Sequence, residues 1–274
     1  MMNAPAVYTT DDEVYENKPI GTIVHTIPSN IIDGVTLIQP VFTLLNGANL
    51  PFDVIAANGE IKLIALLDYE VTTKYVFYVL LTDSNLPALS ENIKVTIYVI
   101  DYNDNSPIPD QLEYFKLIPE NTPYNPPTVI LTISASDKDN GMNSQLFYKI
   151  KNGNDDGKFS LDSASGKLSV IGQLDRESQV LYTMYAVATD LNGAAEGRVS
   201  AEIKITVHIS DINDNPPTFS SSVLTLEYLE NKTLGFLHQL IAIDQDLGDN
   251  GNVSYTIIEG NHDYKFHLNE VTYK

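Results

Sequence analysis

Two short acidic segments of the chain concentrate carboxylate and amide side chains closely enough to hold a cation. DYNDNSPI spans residues 101–108 and DINDNPPTF spans residues 211–219. Each segment opens with two Asp and two Asn within five residues. Carboxylates this close repel each other unless a counter-charge lies between them. One such segment alone is also typical of an Asx-rich turn before a proline, so only recurrence separates the two interpretations.

Acidic residues recur along the chain with a period of 107 residues, which indicates an internal repeat. The same spacing separates Phe52 from Phe159 and Phe159 from Phe266. The repeated acidic residues are Glu70 and Glu177, Asp137 and Asp244, and Asp83 and Asp190, and a Glu-Asn pair opens each repeat at Glu16, Glu120 and Glu230. Because these motifs recur together with the DxNDN segments, the isolated-turn interpretation becomes the weaker one.

Each repeat has the alternating pattern of half-buried strands. NIKVTIYVI (92–100) and EIKITVHIS (202–210) alternate apolar and polar positions. Gly-containing turn signals separate such runs, and no segment has the pattern of a helix of three or more turns. The sequence therefore predicts an all-β fold of tandem Greek-key β-sandwiches, immunoglobulin-like in layering.

Three repeats are predicted, over residues 1–105, 106–215 and 216–274. The third is partial, because the 107-residue period would put its LDRE-like segment near residue 282. Half a sandwich exposes strand edges and core. We therefore expect the third repeat to be a fragment or to be poorly ordered on its own.

The composition favours cations over nucleic acids as partners. The chain carries 36 Asp and Glu against 16 Lys and Arg, a formal net charge of −20. Phosphate binding needs a basic surface, which argues against a nucleic-acid partner. The absence of Cys excludes a disulfide scaffold and Cys-ligated zinc. No apolar run approaches the roughly 18 residues of a membrane span, so a signal peptide or membrane anchor is expected outside this chain.

Calcium is the metal that these side chains favour. It takes about six to eight oxygen ligands and tolerates irregular geometry, whereas magnesium demands tighter octahedral geometry. Zinc prefers His or Cys, and the five histidines show no ligand spacing. Glycoside hydrolysis by paired carboxylates is the enzymatic alternative. Because Asp68 and Glu70 recur as Asp175 and Glu177 in the next repeat, as structural residues do, we expect no enzyme.

The combination of xEN, DxD, LDRE, a strand-end Asp and DxNDN resembles the extracellular cadherin repeat family. The resemblance covers two full repeats and part of a third. It implies cadherin-type sandwiches of about seven strands, stacked end to end. It also implies about three Ca²⁺ ions at each complete linker between repeats.

Carried over to this sequence, the resemblance implies ligands on both sides of each linker. At the first linker they are Glu16, Asp68, Glu70, Asp101, Asn103, Asp104, Asp137, Asp139 and Asp190, with the carbonyls of Tyr102, Asn105 and Asn143. At the second they are Glu120, Asp175, Glu177, Asp211, Asn213, Asp214, Asp244 and Asp246, with the carbonyls of Ile212, Asn215 and Asn250. The strand-end Asp of repeat three would follow Lys274, so the third ion of the second linker is expected to bind more weakly.

Three departures from the family pattern modify these expectations. HTIPSN at residues 25–30 replaces DxD in the first repeat, so no calcium site is expected on its N-terminal side, and Asp83 has no expected ion. LDYE replaces LDRE at residues 67–70, at a position that is not an expected ligand. The chain lacks Trp, which argues against the family's adhesive mode in which an N-terminal strand inserts a Trp into its partner.

The resemblance implies an extracellular, cell-surface protein whose calcium-stiffened repeats support adhesion or tethering. The expected partner is a protein, another cadherin ectodomain of the same or a different kind. A non-adhesive, calcium-stiffened spacer in a larger secreted or surface protein is the alternative. Sequons at Asn231 and Asn252 predict N-glycosylation.

Overall fold

The computed structural model describes residues 8–30, 37–45, 47, 49–86, 89–230 and 233–269. The chain forms two compact units. The first comprises Met1–Ile108, Ser136–Leu146 and Thr189–Ser200, and the second comprises Pro109–Ala135, Phe147–Ala188 and Ala201–Lys274.

The first unit contains a β-sandwich that confirms the predicted all-β fold. Its strands are β1 (Tyr8–Tyr15), β2 (Ile23–Thr26), β3 (Pro40–Leu45), β4 (Phe52–Val54), β5 (Glu60–Leu63), β6 (Lys74–Asp83) and β7 (Ser90–Ile100). One sheet has the order β1-β7-β6-β3 and the other the order β2-β5-β4. Strand β1 lies parallel to β7, whereas β6 pairs antiparallel with β7 and β3.

Alternating side chains of β6 and β7 build the core of this sandwich. Ile93, Val95 and Ile97 are fully buried, as the alternating pattern predicts. Alternate residues of β6 lie opposite them on the neighbouring strand. Phe77 pairs with Val95, and Val79 pairs with Ile93. This burial fixes the register, since a shift by one residue would turn every apolar side chain towards solvent.

The second unit contains most of a sandwich with the same topology. The strands of this repeat are β8 (Ile108–Pro109), β9 (Glu113–Pro119), β10 (Thr128–Thr132), β11 (Ala135–Ser136), β12 (Phe147–Asn152), β13 (Phe159–Leu161), β14 (Lys167–Val170), β15 (Leu181–Thr189) and β16 (Ile203–Ser210). Its sheets have the orders β12-β15-β16-β9 and β10-β14-β13, with β9 parallel to β16. Within the described residues, the single helical segment is a 3₁₀ turn at Leu191–Gly193.

Packing details repeat with the sequence period. Phe52 meets Tyr75 edge-on with ring centroids 5.4 Å apart, and Phe159 meets Tyr182 in the same way at 5.0 Å. The turn glycine Gly166 has a φ of +66°, and a Cβ there would lie 2.2 Å from a backbone carbonyl oxygen. Such a position accepts only glycine.

The third repeat has little regular structure in its described part. Two short strands, β17 (Thr218–Phe219) and β18 (Ala242–Ile243), pair antiparallel. Phe236 and Ile258 are 81% and 91% exposed. One local hydrogen bond is equivalent to one in the second repeat: the Tyr255 hydroxyl accepts the Ala242 N–H at 2.8 Å.

Candidate metal centres

The residues predicted for the first linker all lie in the first unit, in loops that follow strand ends. Glu16 follows β1, residues 68–70 lie between β5 and β6, and residues 101–105 follow β7. Residues 137–139 lie between β11 and β12, and Asp190 follows β15. We call the eight carboxylates of this group the first acidic cluster: Glu16, Asp68, Glu70, Asp101, Asp104, Asp137, Asp139 and Asp190.

Three overlapping triads bring carboxylates of the first acidic cluster together. They are Glu16–Asp68–Glu70, Glu70–Asp101–Asp139 and Asp137–Asp139–Asp190. Within each triad, one oxygen of every residue lies within 4.8 Å of the others. Because Glu70 and Asp139 each belong to two triads, the triads are continuous. Calcium accepts carboxylates grouped in this way.

Backbone N–H groups orient two of these carboxylates. Glu16 is buried and accepts the N–H of Tyr69 at 2.6 Å and of Tyr102 at 2.9 Å. Asp139 is also buried and accepts the backbone N–H of Asn105 at 3.2 Å and its side-chain amide at 2.7 Å. The linker backbone is therefore attached directly to the carboxylates that flank it.

Four buried oxygens of this linker have no hydrogen-bond partner in the described part of the chain. They are Asp101 Oδ1, Asn103 Oδ1, Asp137 Oδ2 and Asp190 Oδ2. Among the described residues, the one other buried polar side-chain atom without a hydrogen bond is Arg176 Nε. An unpaired buried acceptor costs about 1–3 kcal/mol, and more when it is charged. Four such oxygens in one group of acidic loops fit a cation with oxygen ligands.

The electrostatics of the first acidic cluster disfavour the ionised form of several of its carboxylates. Partial burial raises the pKa of Glu70, and neighbouring carboxylates raise it further. Burial and the charge of Asp139 raise the pKa of Asp104, although Arg198 opposes this. Burial, followed by the charges of Asp139 and Asp190, raises the pKa of Asp137. Each shift means that the ionised form is unfavourable where the residue stands.

The residues predicted for the second linker lie in the second unit. We call their seven carboxylates the second acidic cluster: Glu120, Asp175, Glu177, Asp211, Asp214, Asp244 and Asp246. They form the triads Glu120–Asp175–Glu177 and Glu177–Asp211–Asp246, with oxygens within 4.8 Å. Glu120 is buried and accepts the N–H of Arg176 and of Ile212, each at 2.8 Å, which repeats the arrangement around Glu16.

Arg176 distinguishes the second acidic cluster from the first. Its Nε lies 2.5 Å from Asp211 Oδ1, and its Nη2 donates to Glu177 and to the Gln245 carbonyl. Burial raises the pKa of Glu177. Burial would also raise the pKa of Asp211, but hydrogen bonds and Arg176 outweigh it and lower that pKa.

Three predicted carboxylates stand outside the triads among the described residues: Asp104, Asp214 and Asp244. Asp104 and Asp214 each accept the side-chain amide of the Asn that follows, and Asp214 also accepts that of Asn121. Asp244 accepts the N–H of Asp246 at 3.0 Å. These three are near the triads in sequence, and their role as ligands stays a prediction.

The predicted amide and carbonyl ligands differ in their surroundings. Asn103 is buried, whereas its counterpart Asn213 is exposed. The side chains of Asn143 and Asn250 donate to Asp101 and Asp211 at 2.7 and 2.8 Å. The ligand roles of the carbonyls stay predictions for Tyr102, Asn105, Asn143, Ile212, Asn215 and Asn250.

Asp83, which the repeat matches to Asp190, is a structural carboxylate. Its side chain is buried and both oxygens accept backbone N–H groups. The donors are Ile38, Gln39, Asn85 and Leu86, at 2.7 to 3.3 Å. Burial alone would raise the pKa of Asp83, but these hydrogen bonds outweigh it and lower the pKa. Asp190 accepts the Arg198 N–H at 2.6 Å on one oxygen and leaves the other unpaired.

The remaining sequence predictions concern the segment that contains His25 and the two sequons. His25, in the segment that replaces DxD, contacts Asp12 at 2.8 Å and Thr10 at 3.1 Å. Asn252 is exposed, as a glycosylation site requires, whereas Asn231 lies outside the described residues.

Sequence reasoning missed three residues of these sites. It treated the position of Arg176 only as a non-ligand. It also missed Arg198, whose Nε donates to the Asn103 carbonyl at 3.0 Å, and Asn140, whose amide donates to the Tyr69 hydroxyl at 2.6 Å. A basic residue inside the acidic LDRE motif was the available signal for Arg176, whereas nothing in the local pattern marked the other two.

The fold and the acidic linkers define tandem β-sandwich repeats of the cadherin kind. The cadherin domain profile matches residues 12–100 and 116–210. The chain belongs to the cadherin superfamily. Cadherin repeats generally bind calcium, and those of adhesion proteins are non-enzymatic modules, so the expectation of no enzyme is confirmed.

Several animal proteins are similar to this chain along most of its length. Mouse protocadherin Fat 4 is 36% identical over 257 residues, which cover 92% of this chain and 5% of that protein. Human protocadherin-23 is 32% identical over 260 residues, covering 94% and 8%. Mouse cadherin EGF LAG seven-pass G-type receptor 1 is 33% identical over 250 residues, covering 90% and 8%. The chain thus spans less than a tenth of these relatives.

Solved structures agree with this assignment. Mouse cadherin-23 EC22–24 has a TM-score of 0.75 at 29% identity, covering 89% of this chain and 77% of that one. Human CDH23 EC21–23 has a TM-score of 0.70 at 25% identity, covering 92% and 88%. Within the described residues, no helix has the length and apolar character needed to cross a bilayer.

Asp83→Asn should lower the melting temperature by the same amount with and without calcium, because an amide cannot accept four N–H groups and Asp83 is not an expected ligand. The lowered pKa of Asp83 means that its carboxylate stabilises the fold above the ordinary value of 3.8. That contribution is lost as the pH falls through the lower folded-state pKa. Calorimetry should therefore show the difference from wild type shrinking below pH 3.8.

Asp11→Asn, on an exposed position of β1, is the matched control and should leave the melting temperature unchanged. A loss of stability in Asp83→Asn that appears only in calcium would contradict the structural role.

Proposed function

We propose that this chain is a segment of an adhesion or tethering ectodomain whose repeats are stiffened by calcium at the two linkers. The observation that carries the proposal is the group of four unpaired buried oxygens in the first linker. Their chemistry is that of calcium ligands, since all are carboxylate or amide oxygens. With no Cys in the chain, the donor set is wrong for a zinc site.

The proposed repeats are residues 1–105, 106–215 and 216–274, and the family matches at 12–100 and 116–210 support the first two. Each complete linker would hold about three Ca²⁺ ions. At the first linker the triads and the buried Asn103 would supply most ligands. At the second, the seven carboxylates of the second acidic cluster and Asn213 would do so.

In this proposal, calcium acts on each linker through the loops that supply its ligands. Without a counter-charge, repulsion among the carboxylates opposes the contacts between linker and loops. Bound calcium supplies that charge. Glu16 and Asp139 already bind the linker backbone, so a cation shared with them would fix the linker between its neighbouring loops. A ligand that binds only the ordered linker stabilises it by mass action.

The affinity expected for such a site suits an extracellular role. Extracellular calcium modules have dissociation constants of about 10⁻⁴–10⁻³ M. Sites of this affinity fill outside cells and empty inside them. This agrees with an extracellular, cell-surface location, in line with the membrane receptors among the relatives.

Asp139→Asn should weaken calcium-dependent protection of the first linker alone, because Asp139 belongs to two triads and binds the linker at Asn105. Asp246→Asn, the equivalent change, should act on the second linker alone. Hydrogen exchange of the whole chain at several calcium concentrations measures both linkers at once. Losing one charged ligand should raise the calcium needed for half-protection by about tenfold or more.

Each variant is the control for the other, because both remove one charge from a matched position. Equal effects of both variants on both linkers would contradict separate sites. If hydrogen exchange in the wild type does not depend on calcium at either linker, the calcium proposal is wrong.

The adhesive part of the proposal concerns a protein partner, most simply another cadherin ectodomain. Beads coated with the chain should aggregate in calcium and disperse in EGTA, because many weak contacts on facing surfaces act together. Microscopy of bead size measures this, and Asp139→Asn beads should aggregate less at limiting calcium.

The alternative is a calcium-stiffened spacer that carries no adhesive surface. It predicts that the beads stay dispersed while calcium still protects both linkers from exchange. That result would refute self-adhesion by this segment and favour the spacer.

A further inference from the structure

The guanidinium of Arg176 lies among the carboxylates of the second acidic cluster. Its Nε is 2.5 Å from Asp211 Oδ1. Its Nη2 donates to Glu177 and, at 2.8 Å, to the Gln245 carbonyl. Only 11% of the side chain is exposed. Two segments remote from Arg176 in sequence, at Asp211 and Gln245, therefore meet its guanidinium together with the adjacent Glu177.

Among the described residues, the first acidic cluster has no cation in the equivalent position, and its own arginine, Arg198, lies beside Asn103 and Asp104 instead. Tyr69 stands where the second cluster has Arg176, 107 residues later. Its hydroxyl accepts the Asn140 amide at 2.6 Å, and a neutral phenol cannot balance the charge of the surrounding carboxylates. Leu247 occupies the position in the third repeat that Asn140 occupies in the second.

The matched aspartates at the start of each linker show the consequence. Asp211 Oδ1 accepts the Leu247 N–H at 3.0 Å and contacts Arg176, while its Oδ2 accepts the Asn250 amide at 2.8 Å. Asp101 receives the equivalent N–H and amide on Oδ2 alone. Its Oδ1 is buried without a partner among the described residues.

We propose that Arg176 is an internal counter-ion of the second acidic cluster, which calcium must displace, so that the two linkers require different calcium concentrations. This inference rests on the proposed calcium binding at both linkers. Arginine stays charged at any physiological pH, so this competition cannot be removed by deprotonation. The second linker keeps part of its order without calcium, and the first linker depends on calcium more steeply.

The competition follows from charge and space. A calcium ion bound by Glu177 and Asp211 would occupy the region that the guanidinium now fills, and two cations that close repel each other. Binding therefore includes the loss of the Asp211 and Glu177 ion pairs and of the Gln245 hydrogen bond. At the first linker, calcium meets oxygens that have no partner to lose.

Residue-resolved hydrogen exchange on the whole chain tests this inference. The Asn140 and Leu247 N–H groups, which donate to Asp101 and Asp211, report on the first and second linker. In EGTA, the Leu247 N–H should exchange more slowly than that of Asn140. Across about 10⁻⁵ to 10⁻² M calcium, the second linker should need roughly fivefold more calcium for half-protection than the first.

Reciprocal substitutions reverse the difference. Arg176→Tyr, which introduces the residue used at the first linker, should speed exchange at Leu247 in EGTA. It should also lower the calcium concentration for half-protection at Leu247 roughly fivefold, which corresponds to the approximate free energy of one partly exposed ion-pair network. Tyr69→Arg should raise the calcium needed at the first linker. Arg176→Lys keeps the charge and should retain most of the competition.

Lys149→Gln is the charge control, because it removes one positive charge from an exposed position of β12. It should change neither linker. If Arg176→Tyr fails to fold, Arg176→Gln provides the same comparison with a side chain that is nearer in size.

An unchanged or increased calcium requirement at Leu247 in Arg176→Tyr would overturn the competition. Unchanged exchange in EGTA would overturn the counter-ion role. Both results are distinguishable from failure of calcium binding itself, which would appear as a wild-type chain whose linkers ignore calcium altogether.

Discussion

Repulsion between like charges at the linkers is the constraint on which the rest of this structure depends. Eight carboxylates surround the first linker and seven surround the second. Folding brings seven of the first eight and five of the second seven into triads whose oxygens lie within 4.8 Å of each other, where their repulsion is strong unless a positive charge intervenes. The two linkers meet this constraint differently. The first leaves four buried oxygens without a partner in the described part of the chain, while the second is partly balanced by Arg176.

The sandwiches serve to position these charges. Parallel pairing of β1 with β7, repeated by β9 with β16, sets the opening Glu of a repeat beside the linker that leaves it. Glu16 and Glu120 then accept linker N–H groups, so the core and the acidic linker are coupled through backbone hydrogen bonds. Asp83 and Asp190 show that the hydrogen-bond donors around a carboxylate decide its role. Both lie at the end of the same strand of a repeat. N–H groups occupy both oxygens of Asp83, which makes it structural, whereas one oxygen of Asp190 has no partner among the described residues.

Much of this was predictable because it depends on period and alternation. The 107-residue repeat and the alternating strands predicted the fold class, and the recurring motifs predicted which carboxylates meet. The state of each oxygen was not predictable, since it depends on donors remote in sequence, such as Asn140 for Asp101 and Asn250 for Asp211. The role of Arg176 was missed for a related reason. A motif marks the residue types that calcium requires as ligands. An internal counter-ion such as Arg176 is recognised only from the position of its side chain in the folded structure.

The number of calcium ions bound per chain tests the central claim most directly. Equilibrium dialysis with elemental analysis, at free calcium near 10⁻² M, should give about five to six ions per chain, with the weakest of them at the second linker. Magnesium at the same concentration should bind far less, because the clusters suit larger, irregular coordination. One calcium ion or fewer per chain, or equal uptake of the two metals, would contradict the assignment of these acidic linkers as calcium sites.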